Sequence, residues 1–177
     1  MKKLFCVLAL LLVLPRAGAV SARAAVVIDA DTGETLFEQN ADSRLPMAST
    51  TKIMTALVAL GEGDLDRVYT VKPEYAAVEG SSMYLQAGER LSLQDTLYGL
   101  MLASGNDAAE CIAAYCGGSG GSKQFIAWMN EKAASLGMTH TAFLNPSGLD
   151  ESGHGSCALD MARLAAYAMQ NPTFARI

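Results

Sequence analysis

Two short apolar runs open "AAVVIDADTGETLFEQN" (24–40), and the polar Asp31-Thr32-Gly33 between them predicts a β-hairpin with a glycine in its turn. The period then changes. After Pro46, the residues Ile53, Met54, Leu57, Val58 and Leu60 recur at helical spacing, and Gly61 and Gly63 stop the segment, which predicts a mostly buried helix. In the mixed region that follows (64–90), "RVYTV" and "SSMYL" read as short strands. "SLQDTLYGLMLAS" (92–104) resumes the helical period, with Ser92 as N-cap and Asp95 in the first turn. "NDAAECIAAYC" (106–116) reads as a separate helix, divided from its predecessor by Ser104-Gly105. "GGSGGS" (117–122) reads as a flexible turn, too short and too closely flanked by helices to be a domain linker. "KQFIAWMNEKAASLG" (123–137) is an amphipathic helix closed by its last glycine. A long polar loop, "HTAFLNPSGLDESGHGS" (140–156), precedes a final helix, "CALDMARLAAYAMQ" (157–170), and "NPTFARI" starts another element. No internal repeat is visible.

Strands at one end followed by several helices predict an α+β domain with sheet and helix segregated. Such a fold normally needs more sheet than this pattern supplies, so residues 25–177 read as part of a domain, incomplete at the C-terminus. Residues 1–24 read differently. Lys2 and Lys3 precede "LFCVLALLLVLP", and "AGA" or "ARA" offers small residues for cleavage, the pattern of a secretory signal. A membrane anchor would need about 20 unbroken apolar residues, and Pro15 and Arg16 interrupt this run too early. No small-residue motif precedes Cys6, which argues against a lipoprotein site.

With 177 residues and 51% hydrophobic content, the chain can bury a core. The formal charge of -5 and the lack of any basic run exclude a nucleic-acid surface as a partner. Beyond the signal lie Cys111, Cys116 and Cys157, an odd number that reads as buried thiols rather than a disulfide framework. No cluster of ligands along the sequence implies a metal, and none implies a cofactor.

The chemistry concentrates in "PMASTTKIMTAL". Residues three apart share a helix face, with β-carbons roughly 5–6 Å apart, so Ser49 and Lys52 can meet. A serine becomes nucleophilic only when a base takes its proton, and a neutral lysine amine can be that base. An ordinary lysine, with a pKa of about 10.4, is protonated at neutral pH, but the positive end of a helix dipole and apolar neighbours such as Met47, Ile53 and Met54 both disfavour the ammonium. An N-cap serine beside a solvated lysine would give the same pattern. A second polar element, "ASGNDAAE" (103–110), places Ser104 and Asn106 in the break between two apolar helices, where it is either an ordinary turn or one edge of a cleft.

"STTK" (49–52) followed by "SGN" (104–106), about fifty residues on, resembles the penicillin-recognising serine enzymes. Within them the chain is most similar to the low-molecular-mass penicillin-binding proteins that act as serine-type D-alanyl-D-alanine carboxypeptidases. Supporting matches are the opening "AAVVIDADTGETLFEQNADSRLPMASTTKIMTAL", "GMTHTAFLNPSGLD" (137–150) and "ALDMARLAAYAM" (158–169). The resemblance implies a β-lactamase/transpeptidase-like fold, a helical cluster against an antiparallel sheet. It makes Ser49 the nucleophile, Lys52 its base, Ser104 a proton relay to the leaving D-alanine, and Asn106 a hydrogen-bonding partner of the substrate or of Lys52. It implies as partners a peptidoglycan stem peptide ending in D-Ala-D-Ala and β-lactam antibiotics, with no metal and no cofactor. An extracytoplasmic placement follows, in the cell wall or at the outer face of the cytoplasmic membrane through a C-terminal anchor not present in this sequence.

The third motif of these enzymes, Lys-Thr-Gly, is absent: the one Thr-Gly is Thr32-Gly33, preceded by Asp31. The sequence therefore matches the N-terminal part of the catalytic domain. Two other functions stay open. A class A-like β-lactamase would need a glutamate to activate water, and the 140–156 loop offers Glu151 alone; a non-catalytic cell-wall-binding module could dispense with the third motif. Of the two histidines, His140 is expected to position its loop and His154, between glycines, to be solvated. Asn145-Pro146 with Gly148 reads as a turn near the cleft rim.

Overall fold

The computed structural model describes residues 21–177, so almost all of the expected export signal lies outside the described residues. The hairpin forms as its pattern predicts: β1 (Ala25–Ile28) pairs antiparallel with β2 (Thr35–Gln39), with an irregularity between Val27 and Ile28. Its turn is held by Asp29, whose Oδ1 accepts from the Thr32 N–H at 2.7 Å and the Asp31 N–H at 3.0 Å, while Gly33 supplies a φ of +75°.

A 3-10 turn (Ala48–Thr50) leads into helix α1 (Thr51–Glu62), and β3 (Val68–Thr70), α2 (Pro73–Ala76) and β4 (Arg90–Ser92) follow. Next come α3 (Leu93–Leu102), α4 (Asn106–Cys116), a 3-10 turn (Gly118–Gly120), α5 (Gly121–Ser135), α6 (Ala158–Met169) and α7 (Pro172–Arg176). α1 is the axis of the helical cluster, touching α3, α4, α5, α6 and α7. Its Met54, Ala56, Leu57, Val58 and Ala59 are buried with Leu97, Leu100, Ile112, Phe125, Met129 and Leu164. α6 packs on β1, which places the helices against the hairpin. The result is an α+β arrangement, helix-rich, with two small antiparallel sheets among the described residues. No helix among the described residues is long and apolar enough to cross a membrane.

Several expectations need correction. "SSMYL" is not a strand: its backbone is consumed by a carboxylate, Asp107, which accepts from the N–H groups of Met83 and Leu85, each at 3.0 Å, and the partner of β3 is Arg90–Ser92 instead. "GGSGGS" is more ordered than a flexible turn, because Gly118–Gly120 form a 3-10 turn and α5 begins at Gly121. α3 starts as predicted, on a reciprocal cap in which Ser92 Oγ accepts from the Asp95 N–H at 3.1 Å. Cys111, Cys116 and Cys157 are free thiols, with Cys111 and Cys157 buried and Cys116 half-buried.

Candidate active site

Ser49 lies in the 3-10 turn immediately before α1, exposed, and it does not cap the helix: Thr50 holds the N-cap position and makes no side-chain cap bond. Ala48 adopts φ +46°, a left-handed conformation that costs an L-residue roughly 1 kcal/mol or more. The serine lines a cavity of about 610 Å³, lined also by Glu79, Asn106, Ser147, Gly148 and Asp150. Gly148, at φ +89°, sits so close beneath this turn that a Cβ on it would meet the Ala48 carbonyl oxygen at 2.0 Å.

Lys52, one turn further on, is 2% exposed. Its Nζ lies 3.2 Å from Ser49 Oγ, 2.7 Å from Asn106 Oδ1 and 2.6 Å from the Ser147 carbonyl oxygen. As an ammonium it donates all three bonds. As a neutral amine it has two N–H groups and a lone pair, and two of the three partners can only accept. The amide of Asn106 is oriented by its Nδ2, which donates to the Glu79 carbonyl at 2.7 Å, so Oδ1 must face the amine. Asn106 Oδ1 and Ser147 O therefore take the two N–H groups, and the lone pair is left for the Ser49 hydroxyl. Burial pushes the Lys52 pKa down to about 8, which makes the neutral form accessible near neutrality.

The loop at 140–156 reaches this site through bonds to one face of α1. Thr55 Oγ1 donates to the Pro146 carbonyl at 2.7 Å, Lys52 donates to Ser147, and Thr51 Oγ1 lies 3.0 Å from His154 Nε2. His154 Nδ1 accepts from the Leu144 N–H at 3.1 Å, which places the ring proton on Nε2, facing Thr51. His154 is thus not solvated but 8% exposed, and burial lowers its pKa, keeping it neutral. His140 has an exposed ring; its backbone N–H, rather than its imidazole, ties the loop down by donating to Asp160 Oδ2 at 2.8 Å. Asn145 Oδ1 accepts from the Gly148 N–H at 2.7 Å, closing the turn at the cavity rim.

The structure brings Ser49, Lys52 and Asn106 together. Ser104 is half-buried at φ +53° in the α3–α4 turn; it does not line the cavity, and no hydrogen bond joins it to the other three. Glu151 is exposed, its Oε2 accepting from Asn145 Nδ2 at 3.4 Å, and it does not line the cavity. Sequence reasoning placed Gly148 in its turn at the cleft rim, misread His154 as solvated, and missed Ser147 and Asp107. Asp107 is 1% exposed and receives four bonds, from Ser82 Oγ and the N–H groups of Met83, Leu85 and Ala108. Burial raises its pKa, but the hydrogen bonds outweigh this and the carboxyl stays below its ordinary value. It thereby fixes the segment whose Glu79 and Ser81 carbonyls orient Asn106, the latter accepting the Asn106 N–H at 2.7 Å.

A serine facing a buried lysine amine at the head of a central helix, within a helix-rich α+β domain, defines the class of the penicillin-recognising serine proteins. The comparisons make this more specific. Residues 13–176 match the Peptidase S11 family model, described as D-alanyl-D-alanine carboxypeptidase, and the chain belongs to that family. It is 43% identical over 150 residues to D-alanyl-D-alanine carboxypeptidase DacF of Bacillus subtilis, covering 81% of this chain and 38% of that one. It is 42% identical over 159 residues to DacC of Escherichia coli, covering 84% and 39%. Among solved structures, the crystal structure of a Streptomyces DD-transpeptidase superposes with a TM-score of 0.84 at 34% identity, covering 88% of this chain and 63% of that one. A D-alanyl-D-alanine carboxypeptidase from Mycobacterium tuberculosis gives 0.82 at 38% identity, covering 90% and 62%. The chain thus spans about two-fifths of the length of these two curated relatives.

Proposed function

We propose that the protein carrying this chain is a serine D,D-carboxypeptidase that trims the terminal D-alanine from peptidoglycan stem peptides. One observation carries the reading: the buried Lys52 Nζ lies 3.2 Å from Ser49 Oγ while its other two partners can only accept, so that in the neutral amine the lone pair is left for Ser49 Oγ. Ser49 would attack the carbonyl between the two terminal D-alanines as Lys52 takes its proton. Collapse of the tetrahedral intermediate breaks the peptide bond, and the proton passes from Lys52 to the departing amine; a relay through Ser104 would require the α3–α4 turn to bring it into the cavity, which it does not line. Water then hydrolyses the ester on Ser49 and releases the shortened peptide. The backbone N–H of Ser49 would stabilise the oxyanion. A β-lactam, as a mimic of D-Ala-D-Ala, would acylate the same oxygen. A peptidoglycan substrate lies outside the cytoplasm, in keeping with the export signal read at residues 1–24.

The test is intact-mass analysis of the whole protein after incubation with benzylpenicillin, beside a Ser49→Ala control, and an assay of D-alanine release from a D-Ala-D-Ala peptide. A long-lived single adduct that the control lacks, together with D-alanine release, is the expected result. Rapid penicillin turnover would favour a β-lactamase instead. Absence of both adduct and release would leave the non-catalytic wall-binding module.

A further inference from the structure

Away from the cavity, three side chains distant in sequence converge. Asp42, in the link between β2 and the Ser49 turn, His140, at the start of the long loop, and Cys157, at the N-cap of α6, bring a carboxylate oxygen, a ring nitrogen and a sulfur within 4.8 Å of one another. We propose that Asp42, His140 and Cys157 bind a divalent transition-metal cation of the zinc class, which clips together the base of the loop that carries Ser147, Gly148 and His154.

The donor set is the first argument. Thiolate, imidazole and carboxylate together suit a borderline-soft cation such as zinc and are a poor match for calcium or magnesium, which take oxygen ligands. A tetrahedral zinc site holds its ligand atoms roughly 3.3–3.8 Å apart, given bond lengths of about 2.0–2.3 Å. The Asp42 and His140 side chains are both exposed and can rotate through the remaining distance, while Cys157, 2% exposed, is fixed. Three protein ligands leave a fourth position for water.

The scaffold is the second argument, because the backbone around the ligands is already held. The Leu45 N–H donates to Ser156 O at 2.7 Å, the Ser156 N–H donates back to Leu45 O at 3.0 Å, and the Leu159 N–H donates to Ala41 O at 3.1 Å, so the segment carrying Asp42 is laced to the segment carrying Cys157. Asp160, fully buried, serves the other two ligands: its Oδ2 accepts the His140 N–H at 2.8 Å, and its own N–H donates to Cys157 Sγ at 3.5 Å. Thr139 Oγ1 lies 3.3 Å from His140 Nδ1, a neighbour able to fix the ring once a cation is bound.

The position gives the site its consequence. His140 and Cys157 bracket residues 141–156, and a metal joining them to Asp42 would close the loop seven residues upstream of Ser49. The three positions are 98 and 17 residues apart, too irregular a spacing to be read from the sequence.

The test is cobalt titration of the metal-stripped whole protein, which does not depend on the acyl-transfer reading. One equivalent of Co²⁺ should bind with sulfur-to-cobalt charge-transfer absorption in the near ultraviolet. Cys157→Ser, which keeps an N-cap side chain, should lose that band while still melting cooperatively, and His140→Asn should weaken binding at least about tenfold. Zinc should raise the melting temperature of the unmodified protein and leave that of Cys157→Ser unchanged. No sulfur-to-cobalt band, a band that persists in Cys157→Ser and so comes from another thiol, or unchanged affinity in His140→Asn would each overturn the proposal.

Discussion

Thr51 and His154, 103 residues apart, face each other across 3.0 Å and join the helix behind Ser49 to the loop whose Ser147 carbonyl accepts a hydrogen bond from Lys52. Both side chains are buried. Replacing His154 with Ala removes this bond and orphans the Leu144 N–H, which should cost about 2–3 kcal/mol. The protein should melt lower and acylate more slowly. The sign of the pH effect follows from the lowered pKa: below about 6.5 the unfolded histidine takes up a proton that the folded one refuses, so stability falls as pH drops toward the folded-state value. Thermal melts across pH 5–8 should show this slope, and His154→Ala should reduce it.

The rate of β-lactam acylation should rise with pH about a midpoint near 8, following the neutral Lys52 amine. At pH 7 about one-tenth of the molecules would be neutral, against fewer than about one in a thousand for an ordinary lysine. Lys52→Arg, always charged, should lose about 10²-fold or more in rate. Asn106→Asp would set a carboxylate beside the amine at 2.7 Å, hold it as ammonium and move the midpoint up. A midpoint unmoved in Asn106→Asp would remove Lys52 from the role of base. Stability has its own counterpart: the unfolded lysine keeps its proton to about 10.4, so stability should rise with pH between about 8 and 10.4.

Gly148→Ala should damage the site without touching any reacting atom. The new Cβ would lie 2.0 Å from the Ala48 carbonyl oxygen, at a φ of +89° that an L-residue rarely adopts. Either the loop withdraws or the Ser49 turn flattens, at a cost of roughly 2 kcal/mol or more. Stopped-flow acylation should slow severely while far-ultraviolet circular dichroism stays unchanged at low temperature.

Asp107→Ala should be among the most destabilising single changes, because it orphans the Met83 and Leu85 N–H groups and the Ser82 hydroxyl. A loss of about 3–4 kcal/mol is expected. Its depressed pKa means the native protein draws stability from the ionised form at neutral pH and loses it as pH falls below about 3.9. Acid-unfolding curves of the unmodified protein and the variant should converge at low pH.

Local signals carried most of the fold. α4 runs from Asn106 to Cys116, as its apolar period predicts, and Ser92 with Asp95 marks the start of α3, because caps and amphipathic faces are written in neighbouring residues. "SSMYL" misled because its amides are satisfied by a carboxylate more than twenty residues away rather than by a strand. The same limit applies to the site. Ser49 and Lys52 meet within one turn and could be read directly, whereas the acceptors that aim the amine come from residues 54 and 95 positions further on. His154 looked solvated between two glycines because nothing nearby in sequence hints at Thr51 or the Leu144 N–H as its partners.

The wiring of Lys52 also makes acylation a reporter of folding. Its three contacts have sequence separations of 3, 54 and 95, so the amine is correctly oriented only when α1, the start of α4 and the distal loop have all docked. Helix α1 alone would hold serine and lysine close yet leave the lone pair unaimed. On the proposed carboxypeptidase reading, a fluorescent penicillin would therefore label matured molecules and pass over partly folded ones, counting during refolding the fraction that has completed its longest-range assembly.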